Sequence, residues 1–288
     1  MINKEFLNEA HILIDDLYRE FEEYQDITNE ILLVFHEICE KNNIYYSLAF
    51  GSLIGAIRDK GHIPWDYDVD VVIPFYDKEK LLLCLEEQLG QEYYYTYVNN
   101  VTNYPTSCIR ICKKGYSFTA VHVDVFILIG CPNDLHERNL FIKCLNYASY
   151  LRGIKYSPEW FPRELGGGKL EKLACIVDKF RAALIPKLII DYENKLMKQY
   201  PLGTTDYCFI VGDLRYRKCH QYKWFQERIK VPVDGHMLYV PIGYNSVLKN
   251  IYGDFLTYLP IQVRFDEFYN TLKVIRKRNR IRGGKFNH

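Results

Sequence analysis

Three aspartates at alternate positions, Asp66, Asp68 and Asp70, are the side chains whose type and spacing point most directly to chemistry. They lie within WDYDVDVVI at residues 65–73, which has the composition of a strand. Alternate residues of a strand share a face, so the three carboxylates are predicted to project together, opposite an apolar face. Carboxylates crowded in this way repel one another, and a hard divalent cation, Mg²⁺ or Mn²⁺, would compensate them. The alternative is a solvated edge strand, but the apolar face predicts partial burial, where unpaired carboxylates are costly.

A glycine–serine turn lies upstream of the aspartates. Residues 44–50 (IYYSLAF) are predicted to form a strand, Gly51 and Ser52 interrupt it, and LIGAIR at 53–58 is predicted to form a short helix. A turn of this kind at the start of a helix presents bare backbone N–H groups and one hydroxyl, so a phosphate oxygen can approach closely. Gly51 and Ser52 are therefore candidate phosphate-binding residues.

A fourth aspartate, Asp124, lies in a strand predicted at 118–129 (FTAVHVDVFILI). The alternation places His122, Asp124 and Phe126 on one face and valines on the other. Two roles are open for Asp124, as a carboxylate beside the first three or as an ion-pair partner of Arg110 in the strand predicted at 108–112. The two roles are compatible, and the metal role is favoured.

The elements that must position these residues are helices and strands. Residues 4–41 are predicted to form a helix with a buried stripe, whose members follow one another at spacings of three and four: Ile27, Ile31, Phe35 and Ile38. A second helix is predicted at 78–89 and a strand at 93–98. From residue 133 to about 200 the pattern is helical, interrupted by a proline- and glycine-containing linker at 157–169, and short strands follow from residue 204.

Composition sets limits on partners and compartment. The 37 Lys and Arg against 36 Asp and Glu give a net charge of +1, which predicts no overall attraction to nucleic acid. Nine cysteines without a CxxC pair predict reduced thiols, and their spacings match no common zinc finger. The N-terminus carries charges where a signal peptide needs an apolar run, and no stretch reaches the ~20 apolar residues that span a bilayer. We therefore expect a cytoplasmic protein.

The string GSLIGAIRDKGHIPWDYDVDV at residues 51–71 closely resembles the LicD family, which includes bacterial phosphocholine transferases and the animal fukutin-related protein. A Gly-Ser turn, a short helix and loop, and then Asp-Val-Asp are typical of the nucleotidyltransferase fold. The likeness covers most of residues 35–262, weakly in the helical middle, and returns at Tyr252-Gly253-Asp254-Phe255. Tyr67 departs from the aspartate that many bacterial relatives carry, which leaves the three alternate aspartates intact.

The resemblance implies an α/β (α+β) fold, in which a mixed nucleotidyltransferase-like sheet is flanked by helices and carries a helical insertion and a C-terminal α/β portion. We predict a catalytic core with N-terminal helices at 1–132 and a helical lobe at 133–200. A portion at 201–288 would complete the donor and acceptor pocket and end in a basic tail.

The resemblance also implies an activity. Members of the family transfer a phosphate-linked alcohol from a CDP-activated donor to a sugar hydroxyl, which would release CMP here. The donor would be CDP-choline, CDP-ribitol or CDP-glycerol, and the acceptor a cell-surface glycan such as teichoic acid, capsule polysaccharide or lipopolysaccharide. Choline would require an aromatic box, whereas ribitol or glycerol would require polar contacts.

The predicted roles follow from the needs of phosphoryl transfer, which are charge neutralisation and in-line placement. Asp68 and Asp70 are predicted to bind the metal, with Asp66 or Asp124 completing the cluster. Gly51, Ser52 and Arg58 are predicted to hold the donor diphosphate, and Asp124 to bridge the metal or accept the hydroxyl proton. Further contacts to the nucleotide or acceptor are predicted from basic and aromatic residues in the last third, namely Lys223, Trp224, Arg215 and Arg217.

Several alternatives stay open. The basic amphipathic helix after residue 169 would either pack against the main domain or lie on a membrane that carries a lipid-linked acceptor. The tail from 276 to 282 would be either a solvated end or a segment attracted to anionic lipid or glycan. An ordinary nucleotidyltransferase, which attacks an NTP and releases pyrophosphate, and an inactive glycan-binding protein are the rival functions. The sequence does not indicate the oligomeric state.

Overall fold

A computed structural model describes residues 4–98, 106–118, 120–156, 186–212 and 216–280, together with 177 and 180. The linker predicted at 157–169, most of the following basic helix and the end of the tail lie outside these residues. Val177 and Phe180 of that helix are exposed, at 41% and 66%. No helix in the described part of the chain combines the length and apolar character needed to span a membrane.

The first helix, α1, runs over Lys4–Lys41, as predicted. Its stripe is buried, since Ile31 and Phe35 are fully inaccessible and Ile27 and Ile38 are 8% and 5% exposed. The residue spacing of three and four places these side chains on one face of the helix, where they pack into the main hydrophobic core. The helix therefore covers one side of the sheet.

The elements that follow α1 alternate between short helices and strands. In chain order they are β1 (Ser47–Leu48), α2 (Phe50–Ile54), a π-helical turn (Gly55–Asp59), β2 (Val69–Pro74), a 3₁₀ turn (Phe75–Asp77), α3 (Lys78–Gln88), β3 (Tyr93–Thr96), β4 (Ile109–Lys113), β5 (Val123–Cys131), α4 (Leu135–Tyr156) and α5 (Pro186–Gln199). They confirm the mixed α+β class predicted from the sequence. The division at 132 and 200 stays a prediction.

The last third adds strands to the same sheet and closes with helices. Its elements are β6 (Tyr207–Val211), β7 (Cys219–Gln221), a 3₁₀ turn (Tyr222–Trp224), β8 (Arg228–Val233), β9 (His236–Pro241), α6 (Tyr244–Tyr252) and α7 (Ile261–Arg280). Strands β8 and β9 form a separate antiparallel pair. Helix α7 was not predicted, and it includes residues 276–280 of the basic tail.

The main sheet has seven strands, with β5 at its centre. Strand β2 pairs with β5 in parallel, which brings Asp70 opposite Asp124. On the other edge of β5, β4 pairs antiparallel with the first half and β6 with the second half. The inward residues Val71, Val123 and Val125 are fully buried. One sheet therefore carries both aspartate segments.

Two strand boundaries differ from the prediction. Strand β2 begins at Val69, so Asp66 and Asp68 lie in the preceding loop and not in the strand. Strand β1 is reduced to Ser47–Leu48, and Phe50 already belongs to α2. The three aspartates nevertheless reach one cavity, because the loop before β2 is held in place by contacts with α1.

Candidate active site

The predicted aspartates meet in a cavity of about 1000 Å³ at the end of the sheet where β2 and β5 begin. Asp66, Asp68, Asp70 and Asp124 all line it. The rest of the lining comprises residues from the Gly-Ser turn, β5, the segment after β6, and the two last helices with their connection: Phe50, Gly51, Ile54, Arg58, Ile63, Trp65, Phe126, Gly212, Tyr216, Ile251, Tyr252, Asp254, Phe255, Thr257, Leu259, Glu267, Asn270 and Thr271.

Helix α1 fixes the loop that carries Asp66 and Asp68. The Gln25 side-chain amide donates to the Asp66 carbonyl at 2.7 Å and to the Ile63 carbonyl at 3.3 Å. The Thr28 hydroxyl donates to the Tyr67 carbonyl at 2.7 Å. These bonds satisfy carbonyl groups that have no partner in the strand ladder, since the pairing of β2 with β5 begins only at Val69.

Gly51 and Ser52 lie within the first turn of α2, and not in a turn before the helix as predicted, and they contact the aspartate segments directly. The Ser52 hydroxyl accepts a hydrogen bond from the Asp70 backbone N–H at 2.9 Å, and the Ala49 N–H donates to the Asp70 carbonyl at 2.9 Å. A Cβ atom at Gly51 would lie 2.9 Å from Asp66 Oδ2, a distance closer than normal packing allows. A side chain at position 51 would therefore displace the Asp66 carboxylate.

Asp124 is the most completely paired of the four carboxylates. The Arg110 guanidinium donates to Asp124 Oδ1 at 2.7 Å and to Oδ2 at 3.3 Å, and His122 Nε2 lies 3.3 Å from Oδ2. Burial would raise the pKa of Asp124, but the charge of Arg110, together with the contact from His122, outweighs burial and holds that pKa well below its usual range. The ion pair foreseen as an alternative is therefore present, and it favours the ionised form of Asp124.

The surroundings of Asp66 differ from those of Asp124. Burial, followed by the charges of Asp68 and Asp70, raises the pKa of Asp66 well above its usual range. Within the described residues, no group of three or more His, Cys, Asp or Glu side chains is arranged so that it could hold a metal ion. Carboxylate oxygens are nevertheless the ligands that a hard divalent cation prefers, so the chemistry of these donors fits such a cation. Metal binding by the four aspartates stays a prediction.

Arg58 lies at the cavity wall, but its guanidinium is engaged by neighbours. Its Nη2 donates to Asp59 Oδ2 at 2.8 Å, and its Nη1 donates to the Phe255 carbonyl at 3.3 Å. The guanidinium carbon lies 4.3 Å from the centre of the Tyr258 ring and 5.7 Å from that of Trp65. A donor phosphate would therefore share Arg58 with Asp59.

Two candidate residues from the last third lie away from the cavity. Lys223 is exposed, and Trp224 packs against Gly243 and the His220 ring. Neither residue lines the cavity. Arg217 is exposed with a backbone φ of 52°, and Arg215 lies outside the described residues. The turn at 222–224 thus packs against Gly243 and His220 and is not part of the cavity wall.

Much of the wall facing the aspartates was not predicted from the sequence. Glu267, Asn270 and Thr271 of α7 line the cavity, at helical spacings of three and four, and an amphipathic reading of 261–275 would have found them. Phe126, which the alternation had placed on the same face as Asp124, also lines the cavity. Tyr216 carries no local signal, because only the tertiary fold brings it to the cavity.

A mixed sheet with aspartates on two neighbouring parallel strands, beside Gly51 and Ser52, is the arrangement expected from the resemblance to the nucleotidyltransferase fold. Comparison with known proteins agrees, because residues 43–150 match the LicD/FKTN/FKRP nucleotidyltransferase domain. Residues 43–150 are therefore similar to a LicD-type domain. All four aspartates, Gly51, Ser52 and Arg58 fall within the matched residues.

The likeness to LicD extends beyond that domain. The chain is 27% identical over 256 residues to the lipopolysaccharide cholinephosphotransferase LicD of Haemophilus influenzae, covering 83% of this chain and 92% of that protein. It is also 34% identical over 128 residues to an uncharacterised protein of Rickettsia prowazekii, covering 44% of this chain and 38% of that protein. The resemblance inferred from the motifs is confirmed.

Proposed function

We propose that this protein is a divalent-metal-dependent phosphotransferase. It would move a phospho-alcohol from a CDP-activated donor to a hydroxyl of a cell-surface glycan and release CMP. The reaction would take place in the cytoplasm, with a glycan acceptor that is free or lipid-linked. The observation that carries the proposal is the convergence of four aspartates and Gly51 in one cavity, within a LicD-type domain. The cholinephosphotransferase activity named for the Haemophilus relative supports the class of reaction.

The cavity residues fit the requirements of phosphoryl transfer. Asp68, Asp70 and Asp66 would hold the cation, which would neutralise charge on the transferring phosphoryl group. Gly51 leaves the backbone accessible to donor phosphate, and Ser52 keeps Asp70 in register with the turn through the 2.9 Å bond to its N–H. These residues would bind and orient the reacting groups, which is the main protein contribution in this chemistry.

Asp124 has two predicted roles, and its surroundings favour one of them. A carboxylate held ionised by Arg110 and His122 is a weak base, because its pKa lies well below the usual range. Such a group supplies a fixed negative charge near the cation more readily than it accepts the proton of the acceptor hydroxyl. We therefore assign Asp124 to charge placement beside Asp70, its register partner across the sheet.

The test is CMP release from CDP-choline, CDP-ribitol and CDP-glycerol, with Mg²⁺ or with EDTA, against a panel of glycans that includes lipopolysaccharide. Asp68→Asn and Asp70→Asn should each lower kcat/KM by about a hundredfold or more, because each removes a charge that the transition state needs. Asp191→Asn, on the exposed face of α5, is the matched control and should leave turnover unchanged. Circular dichroism would verify that each variant is folded.

The outcomes separate the rival functions. Metal-dependent CMP release that Asp70→Asn abolishes supports the proposal. Pyrophosphate release from an NTP, with no CMP from any CDP donor, would instead assign the protein to the ordinary nucleotidyltransferases. Glycan binding without turnover of any donor would leave a binding protein.

A further inference from the structure

Cys108 lies beside Asp124, in the segment that leads into β4. Its Sγ donates to Asp124 Oδ1 at 3.3 Å, the oxygen that also accepts the 2.7 Å bond from Arg110. Arg110 and His122 contact the other oxygen, so Cys108 supplies a second donor to Oδ1. A thiol is a weak donor, but it fills one of the roughly four lone-pair positions that a carboxylate offers. The Cys108 thiol therefore restricts how the Asp124 carboxylate can turn.

Cys108 is itself held in a buried position. It is 3% exposed, and the Thr106 hydroxyl lies 3.1 Å from its sulfur. Strand β4 begins only at Ile109, so contacts other than the strand ladder hold residues 106–108. Arg152 Nη1 of α4 donates to the Thr106 carbonyl at 2.6 Å. Helix α4 thus fixes the start of the segment that carries Cys108.

Helix α5 holds the same segment through a buried glutamate. The Ser107 hydroxyl donates to Glu193 Oε1 at 2.5 Å, and the Ser149 hydroxyl of α4 donates to the same oxygen at 2.6 Å. Glu193 has no exposed surface, Arg152 is 3% exposed, and the two form an ion pair. Because breaking a buried pair is costly, this network fixes α4, α5 and residues 106–108 relative to one another.

We propose that Cys108 is a positioning residue for Asp124, and that helices α4 and α5 hold Cys108 in place through Thr106 and Ser107. The inference rests on the proposed function, in which Asp124 places a negative charge beside Asp70. A small displacement of such a group lowers the rate strongly, even when its cause lies away from the reacting atoms. No described residue of α4 or α5 lines the cavity, so these helices would act on the reaction from outside it.

Carboxyl ¹³C NMR tests the positioning without turnover. In protein labelled at the aspartate carboxyl carbons, Asp124→Asn identifies the Asp124 resonance by its loss. Cys108→Ala should shift that resonance, because it removes one hydrogen bond, and Cys108→Ser should move it back towards the wild-type position, because it keeps a donor. Cys39→Ala is the matched control, since it removes a fully buried thiol of α1 in the main core, and it should leave the resonance in place.

Steady-state kinetics of CMP release measures the consequence for the reaction. Cys108→Ala should lower kcat by about tenfold and change the KM for the donor by less than about twofold, because Asp124 would act on the transition state and not on donor binding. Cys108→Ser should recover most of the lost kcat, whereas Cys39→Ala should match the wild type. Circular dichroism would verify that each variant is folded.

Two serine variants test the part played by the helices. Ser107→Ala and Ser149→Ala each remove a hydroxyl that is bonded to the same oxygen of Glu193, but only Ser107 is a neighbour of Cys108. Ser107→Ala should shift the Asp124 resonance and lower kcat severalfold, and Ser149→Ala should do neither. The comparison of these two variants decides the question if Cys108→Ala does not fold.

The outcomes distinguish this inference from the proposed function. An unshifted Asp124 resonance in Cys108→Ala, or a serine variant as impaired as the alanine variant, would overturn the inference. Equal effects of Ser107→Ala and Ser149→Ala would refute the part assigned to the helices. A resonance that responds as expected, without CMP release from any donor, would support the positioning of Asp124 and refute the proposed transfer reaction. Normal turnover of Cys108→Ala in spite of a shifted resonance would leave the phosphotransferase intact and overturn the role of Cys108.

Discussion

Asp70 and Asp124 are register partners on the parallel strands β2 and β5, and Arg110 is the antiparallel partner of Asp124 on its other side. The three residues therefore form a row across the sheet, with two acids and one base. The Arg110 guanidinium donates to Asp124 Oδ1 at 2.7 Å. Because it pairs with Arg110 on the neighbouring strand, Asp124 contributes to the sheet as well as to the candidate site.

Arg110→Met should destabilise the protein by about 3–5 kcal/mol, because it leaves the largely buried Asp124 carboxylate without its partner. The double variant Arg110→Met with Asp124→Asn should recover a large part of this loss. Urea unfolding of both single variants and the double variant would measure the coupling. Lys113→Met, which removes a more exposed ion pair with Glu30 at the end of the same strand, should cost less than about 1 kcal/mol. Equal losses in Arg110→Met and Lys113→Met would contradict the buried-pair interpretation.

Gly51→Ala should lower kcat/KM by about tenfold or more, because its Cβ would displace the Asp66 carboxylate and shift the cluster. Thermal stability should change little, since the clash can be relieved at the cavity. Gly90→Ala is the matched control, because a Cβ there meets the Tyr93 ring at an ordinary 3.6 Å. Steady-state kinetics of CMP release, with a thermal melt of each variant, would check this. Full activity of Gly51→Ala would show that the close approach has no role.

His220 should make the fold sensitive to acid. Burial lowers the pKa of His220 to about 4, so the ring stays neutral in the folded state while the unfolded chain takes up a proton near pH 6.5. The resulting stability is fully present above pH 6.5 and is lost as pH falls through 4, amounting to about 3 kcal/mol. His220→Gln should flatten the dependence of unfolding free energy on pH within this window. The exposed His136→Gln should not, and identical slopes in the two variants would refute the assignment.

Thr28→Val should weaken the support of the aspartate loop. Thr28 is fully buried, and its hydroxyl donates to the Tyr67 carbonyl at 2.7 Å, so the substitution leaves that carbonyl without this donor. We expect a loss of about 1–3 kcal/mol in unfolding free energy and a fall in kcat. Thr204→Val, which removes an exposed hydroxyl bonded to the Pro201 carbonyl, should have little effect on either quantity. An unchanged kcat in Thr28→Val would mean that the loop is held by its other contacts.

Much of the fold and part of the site follow from local sequence pattern. The periodicity of α1 and the alternation around Asp124 each reflect burial of one face, and burial decides the structure at both places. The Gly-Ser segment and the four aspartates were identified because glycine, serine and aspartate at this spacing have few roles other than binding phosphate or metal. These features involve residues that are close together in the chain, so they can be recognised in the sequence.

The features that were missed depend on contacts between distant segments. Strand β2 begins only at Val69 because Gln25 and Thr28 of α1 take the carbonyls of Asp66 and Tyr67, 39 to 41 residues away along the chain. Lys223 and Trp224 carry suitable side chains, yet the packing of Trp224 against Gly243 directs their turn elsewhere. Residue type alone could not distinguish them from Tyr216, which does reach the cavity.

The hydrogen bonds from α1 to the aspartate loop also bear on where the functional unit begins. The match to the LicD-type domain starts at residue 43, yet Gln25 and Thr28, which hold the loop, lie upstream of it. A fragment that begins at residue 43 would keep the four aspartates. It would lose the hydrogen bonds from Gln25 and Thr28 that hold the aspartate loop in place. The autonomous unit of this enzyme candidate is therefore larger than its recognisable domain, and excision experiments should retain the second half of α1.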